Sequence, residues 1–373
     1  MKGLVQERDV SLYIHIPFCF RKCDYCAFYS LEYEKLDKNI IERFVSILLG
    51  QLDAVNREVK KPFHTIFIGG GNPGVIGYDN LKRILMLASA NGFAKEVTIE
   101  INPENVSEEI LSLKPYLTRV SVGIQSMKER SLRSLGRNTN REINRRALEI
   151  LSQIGINFNV DLMTSIPNST VDDTLEDIDE VVSYNPDHIS FYCLTFEEGT
   201  PLLSRSEPCP EELEIEHLRR GWEKLASHGY EHYEISNFAR NGKYSEHNLG
   251  YWRLGQYIGL GPTAESSLGY SEATSMRNRE NLFDYLENPS FDCVSLTREE
   301  TEEEFLLTSL RLKEGIDKKE YERRFGVQFD IRYGTAIEGL KQGDFENNEA
   351  SFSLTQEGML RLDSIILTLA LSI

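Results

Sequence analysis

The sequence predicts an α/β fold in which a partial (β/α)6 barrel is followed by a small α-rich C-terminal domain. Three observations predict it. Strand-like and helix-like segments alternate six times between residues 11 and 238. The polar and glycine-rich residues of that region lie on the strands or just after them, mostly at their C-terminal ends. From about residue 295 the pattern turns helical, with cap residues in place. Successive β-α units imply a parallel sheet with right-handed crossovers. An open doubly wound sheet would gather functional groups at one switch point, whereas a barrel brings every strand end to one mouth. Here the groups are spread over five strands, which favours the barrel.

Strands are predicted at 12–16, 65–68, 96–101, 119–124, 157–163 and 188–194. Helices follow at 36–59, 78–89, 107–113, 141–154, 171–183 and 210–228. Residues 239–294 lose this rhythm and read as a barrel extension and linker, so the expected units are 1–238, 239–294 and 295–373. In the last unit, Thr297 with Glu300 reads as a capping box for a helix running to Leu312. Asp317 is placed to cap a second helix over 318–325, and Thr355 an amphipathic last helix over 356–369.

Composition narrows the function classes. The 373 residues suffice for a large core and more than one domain. No apolar run approaches the ~20 residues of a membrane span, and Met1 to Val10 is too short and charged to read as a secretory signal. A formal charge of −18 argues against a broad nucleic-acid surface. Part of it, Arg298 to Glu304, reads as the acidic first turns of a helix. Six cysteines, three bunched and three isolated (Cys193, Cys209 and Cys293), fit a reducing cytoplasm.

The bunched cysteines carry the most chemistry. After the first strand come Cys19, Cys23 and Cys26, spaced Cys-x-x-x-Cys-x-x-Cys. Three thiolates hold three corners of a cubane [4Fe–4S] cluster and leave the fourth iron open, whereas electron-transfer clusters usually take four cysteines. A disulfide would leave one cysteine over. A zinc site wants a fourth ligand, and His15, four residues before Cys19 on a strand, is poorly placed to give it. Gly69, Gly70 and Gly71, then Asn72 and Pro73, follow the second strand without a P-loop lysine or a dinucleotide fingerprint. Alone, that run is either a tight turn or a place of close backbone approach. Glu100 and Asn102 end the third strand, Gln125 and Ser126 the fourth, and Asp161 lies on the fifth.

With these residues in view, the chain resembles the radical S-adenosylmethionine (SAM) superfamily. Within it, the chain resembles the group of oxygen-independent coproporphyrinogen III oxidases and their relatives, the HemW-type heme chaperones. The resemblance runs through His15 to Cys19, Gly69 to Pro73, Glu100 to Pro103, Ser121 to Ser126, Leu135 to Arg137, Val160 to Met163, His188 to Tyr192, Tyr233 to Asn237 and Leu310 to Ile316. It implies a [4Fe–4S] cluster on Cys19, Cys23 and Cys26 whose open iron chelates SAM, with reduction yielding a 5′-deoxyadenosyl radical. It implies SAM contacts at Tyr13, Gly70, Gly71, Asn72, Glu100, Gln125, Arg137 and Asp161. Glu100 suits the ribose hydroxyls, and the Arg137 fork suits the methionine carboxylate.

Two features favour the chaperone branch. Phe28 stands where the oxidases carry a fourth cysteine, and His247-Asn248-Leu249-Gly250-Tyr251-Trp252 matches the chaperones' His-Asn-x-x-Tyr-Trp motif. The resemblance implies heme bound through His247, with Tyr251 and Trp252 against the porphyrin. The alternative for the segment is a buried histidine among core aromatics. Implied partners are heme or a porphyrinogen, a reductant such as flavodoxin or ferredoxin, and a heme-accepting respiratory protein, with peripheral rather than spanning membrane contact. The enzymatic alternatives are oxidative decarboxylation of porphyrinogen propionates to vinyls, or radical chemistry on intact heme. The chain departs from the family at Asn72 (usually Thr), Thr139 (His), Ser165 to Thr170 (Gly-Leu-Pro-Gly-Gln-Thr) and Glu265 (often His).

Overall fold

The computed structural model describes residues 9–37 and 39–371. Residues 1–8, most of the charged N-terminal stretch, lie outside the described residues. Six strands lie side by side in chain order, all parallel: β1 (Val10–Ile16), β2 (Thr65–Gly70), β3 (Glu96–Ile101), β4 (Arg119–Gln125), β5 (Asn157–Thr164) and β6 (His188–Cys193). The order never reverses, so there is no switch point, and the strand ends converge as the partial barrel requires. Their near-continuous apolar character follows from burial on both faces; β4 is buried at every residue.

Helices α1 (Ile40–Val59), α2 (Tyr78–Ala88), α3 (Arg141–Gln153), α4 (Val171–Val182) and α5 (Glu211–Ser227) cover the outside. The third crossover departs from expectation: Glu108–Leu113 is a 3-10 helix. Ser107 gives it no side-chain cap, and Pro115 lacks the N–H that would extend an α-type ladder.

The sheet also goes further than the sequence suggested. Beside β6 it gains a hairpin, β7 (Glu231–Glu234) and β8 (Asn237–Ala239), with β8 antiparallel to β6. Helix α6 (Glu246–Trp252) follows. Then β9 (Gln256–Leu260) pairs parallel to β1, and β10 (Glu265–Gly269), β11 (Ala273–Asn278) and β12 (Phe291–Ser295) continue antiparallel, giving twelve strands in all. Much of the stretch read as barrel extension and linker is therefore part of the sheet.

In the C-terminal region, α7 (Arg298–Ser309) starts at the expected Thr297–Glu300 capping box and stops short of Leu312. Asp317 accepts from the N–H groups of Lys319 and Glu320 to cap α8 (Lys318–Phe325). An unexpected helix, α9 (Phe329–Glu338), follows. A three-stranded sheet also joins this region, from Ile316–Asp317, Phe345–Asn347 and Ser351–Leu354. The expected single helix over 356–369 is two, Gln356–Met359 and α10 (Leu362–Ala370). The break falls at Arg361, whose guanidinium is tied to Asp344, while Gly358 is packed against the Asp344 carbonyl. Among the described residues no helix is long and apolar enough to cross a membrane.

Candidate functional site

The loop after β1 presents Cys19, Cys23 and Cys26 as free, partly buried thiols. Asp24 anchors it. Its N–H donates to the Leu135 carbonyl (3.0 Å), its carbonyl accepts from Leu202 N–H (2.8 Å), and its carboxylate pairs with Arg205 (2.6 Å). Gly136 leaves room for that carboxylate, because a Cβ there would stand 2.3 Å from the Asp24 side chain. Burial pushes the Cys19 thiol up to about 12 and raises Cys26, with neighbouring thiols adding to both. Such a set gives up its protons to a metal, and metal binding releases them.

The glycines lie beneath this loop, and the protein's own backbone requires them. A Cβ on Gly71 would stand 2.6 Å from the Phe18 carbonyl oxygen. Gly70 has φ +103°, and a Cβ there would meet the His15 ring at 2.5 Å. That ring is fixed at both nitrogens: Tyr13 OH donates to Nδ1 (2.9 Å), and Nε2–H donates to the Tyr29 carbonyl (2.8 Å). Tyr13 thus reaches the mouth by orienting His15. Asn72 is wholly buried. It donates to Asn105 Oδ1 (2.6 Å) and accepts from Gly74 N–H (3.2 Å) and Asn102 N–H (3.3 Å). Its amide is used inside the protein, unlike the contact expected of it.

Glu100, Arg137 and Asp161 converge at the mouth. Burial and the charge of Asp161 push Glu100 up to about 8, and Arg137 offsets only part of this. Burial also raises Asp161, against hydrogen bonds from Asn159 Nδ2 (2.7 Å) and Ser121 Oγ (3.2 Å). Arg137 donates to Asn102 Oδ1 (3.2 Å) and to the Gly123 carbonyl, and its Nη1 lies 3.5 Å from Cys23 Sγ. Its Nε is buried without a partner. Gln125 ends β4 past an irregularity in register, at φ 66°, and accepts from Tyr192 OH (2.9 Å). Ser165 (φ 58°) and Asn168 (φ 67°) share this left-handed conformation after β5. Strained backbone of this kind gathers at ligand sites. The donor set fits the cofactors: three thiols for the cluster, two buried acids for hydroxyl and amino groups, and a guanidinium with an unfilled N–H for a carboxylate.

Below the mouth is a cavity of about 1220 Å³. It runs from Phe28 and Glu100 to Arg119, Ser245 and Asn248, and sideways to α5 and residues 359–364. Its walls are mixed: Phe67, Phe191, Trp222 and Trp252 stand beside a polar set in which Asn159 donates to Ser121 (2.7 Å) and Ser190 (3.0 Å), and its Oδ1 meets His188 Nδ1 at 2.6 Å.

The His-Asn-x-x-Tyr-Trp segment forms α6, which closes the opposite end of the barrel. Buried Glu96, at the start of β3, accepts from Glu246 N–H (3.1 Å) and His247 N–H (3.1 Å) and pairs with Arg119 at the start of β4 (3.3 Å). Sequence reasoning missed this pair; its only trace was a charged residue opening each of two apolar strands. Thr65 donates to Ser11 Oγ (2.8 Å) and takes His247 Nδ1–H (2.7 Å), while His247 Nε2 accepts from Tyr251 OH (2.9 Å). The ring stacks on Phe67 at 5.2 Å, and burial lowers it to about 3, so it is neutral. The one lone pair that iron would use already accepts a hydrogen bond. His247 in this arrangement does not fit axial ligation of heme.

Comparison with known proteins bears on the family and the fold. The radical SAM superfamily model matches residues 13–181, and the HemN C-terminal domain model matches 296–361. Fold and site together define a radical SAM protein with a HemN-type C-terminal domain. The chain shares its fold with coproporphyrinogen III oxidase (HemN) from Escherichia coli, at a TM-score of 0.83 and 19% identity, covering 100% of this chain and 92% of that one. It is 31% identical to the heme chaperone HemW of Escherichia coli, over 97% of this chain and 98% of that one. With HemW of Buchnera aphidicola it shares 30% identity over 96% and 97%. The chain belongs to the HemW heme chaperone family.

Proposed function

We propose that this chain is a heme chaperone of the cytoplasm. It holds a [4Fe–4S] cluster on Cys19, Cys23 and Cys26 and binds SAM through Glu100, Arg137 and Asp161. Heme occupies the cavity below, for delivery to a heme-requiring respiratory protein. The observation that carries this is the cavity itself. Its roughly 1220 Å³ exceeds the ~300–1,000 Å³ of common ligand sites and lies beneath the thiol loop, in a chain of HemW type. At its edge Phe28, 68% exposed, occupies the position of the oxidases' fourth cysteine.

When bound, cluster and SAM supply one-electron chemistry at the sulfonium, fed by a flavodoxin- or ferredoxin-like reductant. The chain's own residues orient and enclose. Arg137 takes the carboxylate of the methionine moiety, Glu100 accepts from hydroxyls, and the glycine run lets the ligand lie against backbone. His247 acts in this reading as a floor support, not as the axial ligand.

The test is anaerobic. The reconstituted protein is titrated with heme, then supplied with SAM, reductant and coproporphyrinogen III. Saturable heme binding without a tetrapyrrole product is the expected result. Protoporphyrinogen formed in step with 5′-deoxyadenosine would make the protein an oxidase.

A further inference from the structure

Three segments that carry the family resemblance meet at one side of the cavity: Tyr233 to Asn237, His247 to Trp252 and Leu310 to Ile316. They are laced by backbone. Ile235 N–H donates to the Arg311 carbonyl (2.8 Å), Lys313 N–H donates to the Tyr233 carbonyl (3.1 Å), and Glu234 bridges to Leu312. Between them lie five buried polar atoms without a hydrogen bond: both Glu234 carboxyl oxygens, Asn237 Oδ1, Trp252 Nε1 and Arg311 Nε. Glu234 is 0% exposed and Asn237 5%. Ser236 N–H, Asn237, Arg311 and Trp252 all act on the Glu234 carboxyl, yet none closes a well-formed bond to it. Buried polar groups nearly always find partners, so a concentration of orphans marks a place for something else.

That place opens on the cavity, because Asn237, Trp252 and Arg311 all line it. The chain is strongly acidic, yet four arginines face this space. Three are committed: Arg119 to Glu96, Arg219 to Glu357 and Arg361 to Asp344. Arg311 is held differently. Its guanidinium lies 5.2 Å over the Trp252 ring, and the acid acting on it is Glu234. A guanidinium stacked on an aromatic face keeps its fork free for a planar anion, and the bidentate carboxylate is its best partner.

We propose that Arg311, presented on the Trp252 ring, is the receptor for a carboxylate of the molecule in the cavity, with the Trp252 indole N–H as a second donor. The inference rests on the heme reading, and the carboxylates meant are the propionates. It gives the Trp of the His-Asn-x-x-Tyr-Trp segment a role separate from that of His247.

The test compares hemin with hemin dimethyl ester, whose propionates are masked. Both are titrated into the full chain and into Arg311→Met and Arg311→Lys variants, in one detergent-containing buffer, with heme absorbance as readout. The unsubstituted chain is expected to bind hemin about ten-fold tighter than the ester. Arg311→Met should abolish that preference by weakening hemin alone, and Arg311→Lys should keep part of it. Should Arg311→Met fail to fold, Trp252→Phe, which keeps an aromatic face of smaller area and removes the N–H, should narrow the preference. Equal binding of hemin and ester by the unsubstituted chain overturns the proposal and leaves the heme reading standing. An equal loss of both ligands in Arg311→Met makes Arg311 a structural residue and also overturns it. If neither ligand binds the unsubstituted chain, the heme reading falls and takes this inference with it.

Discussion

At the floor of the barrel, Glu96 takes two backbone N–H groups and a guanidinium, and His247 is bonded at both ring nitrogens. At the mouth, Glu100, Arg137 and Asp161 are half-buried and are answered less completely. Glu100 is carried up to about 8 because burial and Asp161 outweigh Arg137, and Arg137 keeps an unfilled N–H. Both ends bury charge, so buried charge alone does not mark a site. The informative difference is whether the protein answers its own charges. Where it does, the residues are scaffold; where it does not, a ligand is expected to complete the set.

Four experiments would break or sharpen that contrast. The largest effect belongs to the mouth. Cys23→Ala should abolish the visible iron–sulfur absorbance of the reconstituted protein while far-ultraviolet circular dichroism stays unchanged. A full cluster in that variant would remove Cys23 from the ligand set. Next comes the floor. Glu96→Ala leaves Arg119 as an uncompensated buried charge and should cost about 3–5 kcal/mol in denaturant unfolding. A loss below about 1 kcal/mol would mean that this pair is not what fastens α6.

Tyr251→Phe is a smaller change, expected to cost about 1–3 kcal/mol by orphaning His247 Nε2. It also frees the nitrogen that iron would need. Heme spectra identical to those of the unsubstituted chain are expected, whereas a new axial-histidine signature would return His247 to the role of ligand. The fourth test is on pH. Folding holds the Glu100 proton more tightly than the unfolded chain, whose ordinary value is 4.5. Its contribution is therefore complete below about 4.5 and lost as pH rises through about 8. Cluster-free protein should lose stability across that window, and Glu100→Gln should flatten the slope. An unchanged slope would mean that Glu100 is no harder to ionise than an exposed acid.

The barrel was legible because each strand is a short apolar run ending in a polar or glycine residue. Five helices fell within a few residues of their expected bounds for the same local reason. Legibility failed where the cause is not local. The helix expected over 356–369 breaks because Asp344, far back in the chain, claims Arg361. Strands β10 to β12 were not individually legible because antiparallel strands toward a sheet edge lack the double-sided burial that made β1 to β6 obvious. Among the mouth residues, spacing and resemblance brought the cysteines, glycines and acids into view. Neither indicated that the Asn72 amide turns inward, because that depends on Asn102 and Asn105. The convergence of Glu234, Trp252 and Arg311 likewise needed three distant segments in one place.

The ends of the six-strand curl, β1 and β6, are joined not to each other but to separate ribbons of the same sheet. The cavity consequently has a roof and a flank. At the roof stands Phe28, just past the cysteine loop, and the flank is α5 facing the turn at residues 359–364. Arg219 on α5 and Glu357 just before that turn join across it through an exposed pair at 2.7 Å, the kind of contact that is made and broken cheaply in water. That contact lies on the α5 side of the cavity, apart from the thiol loop, which is anchored at Asp24 instead.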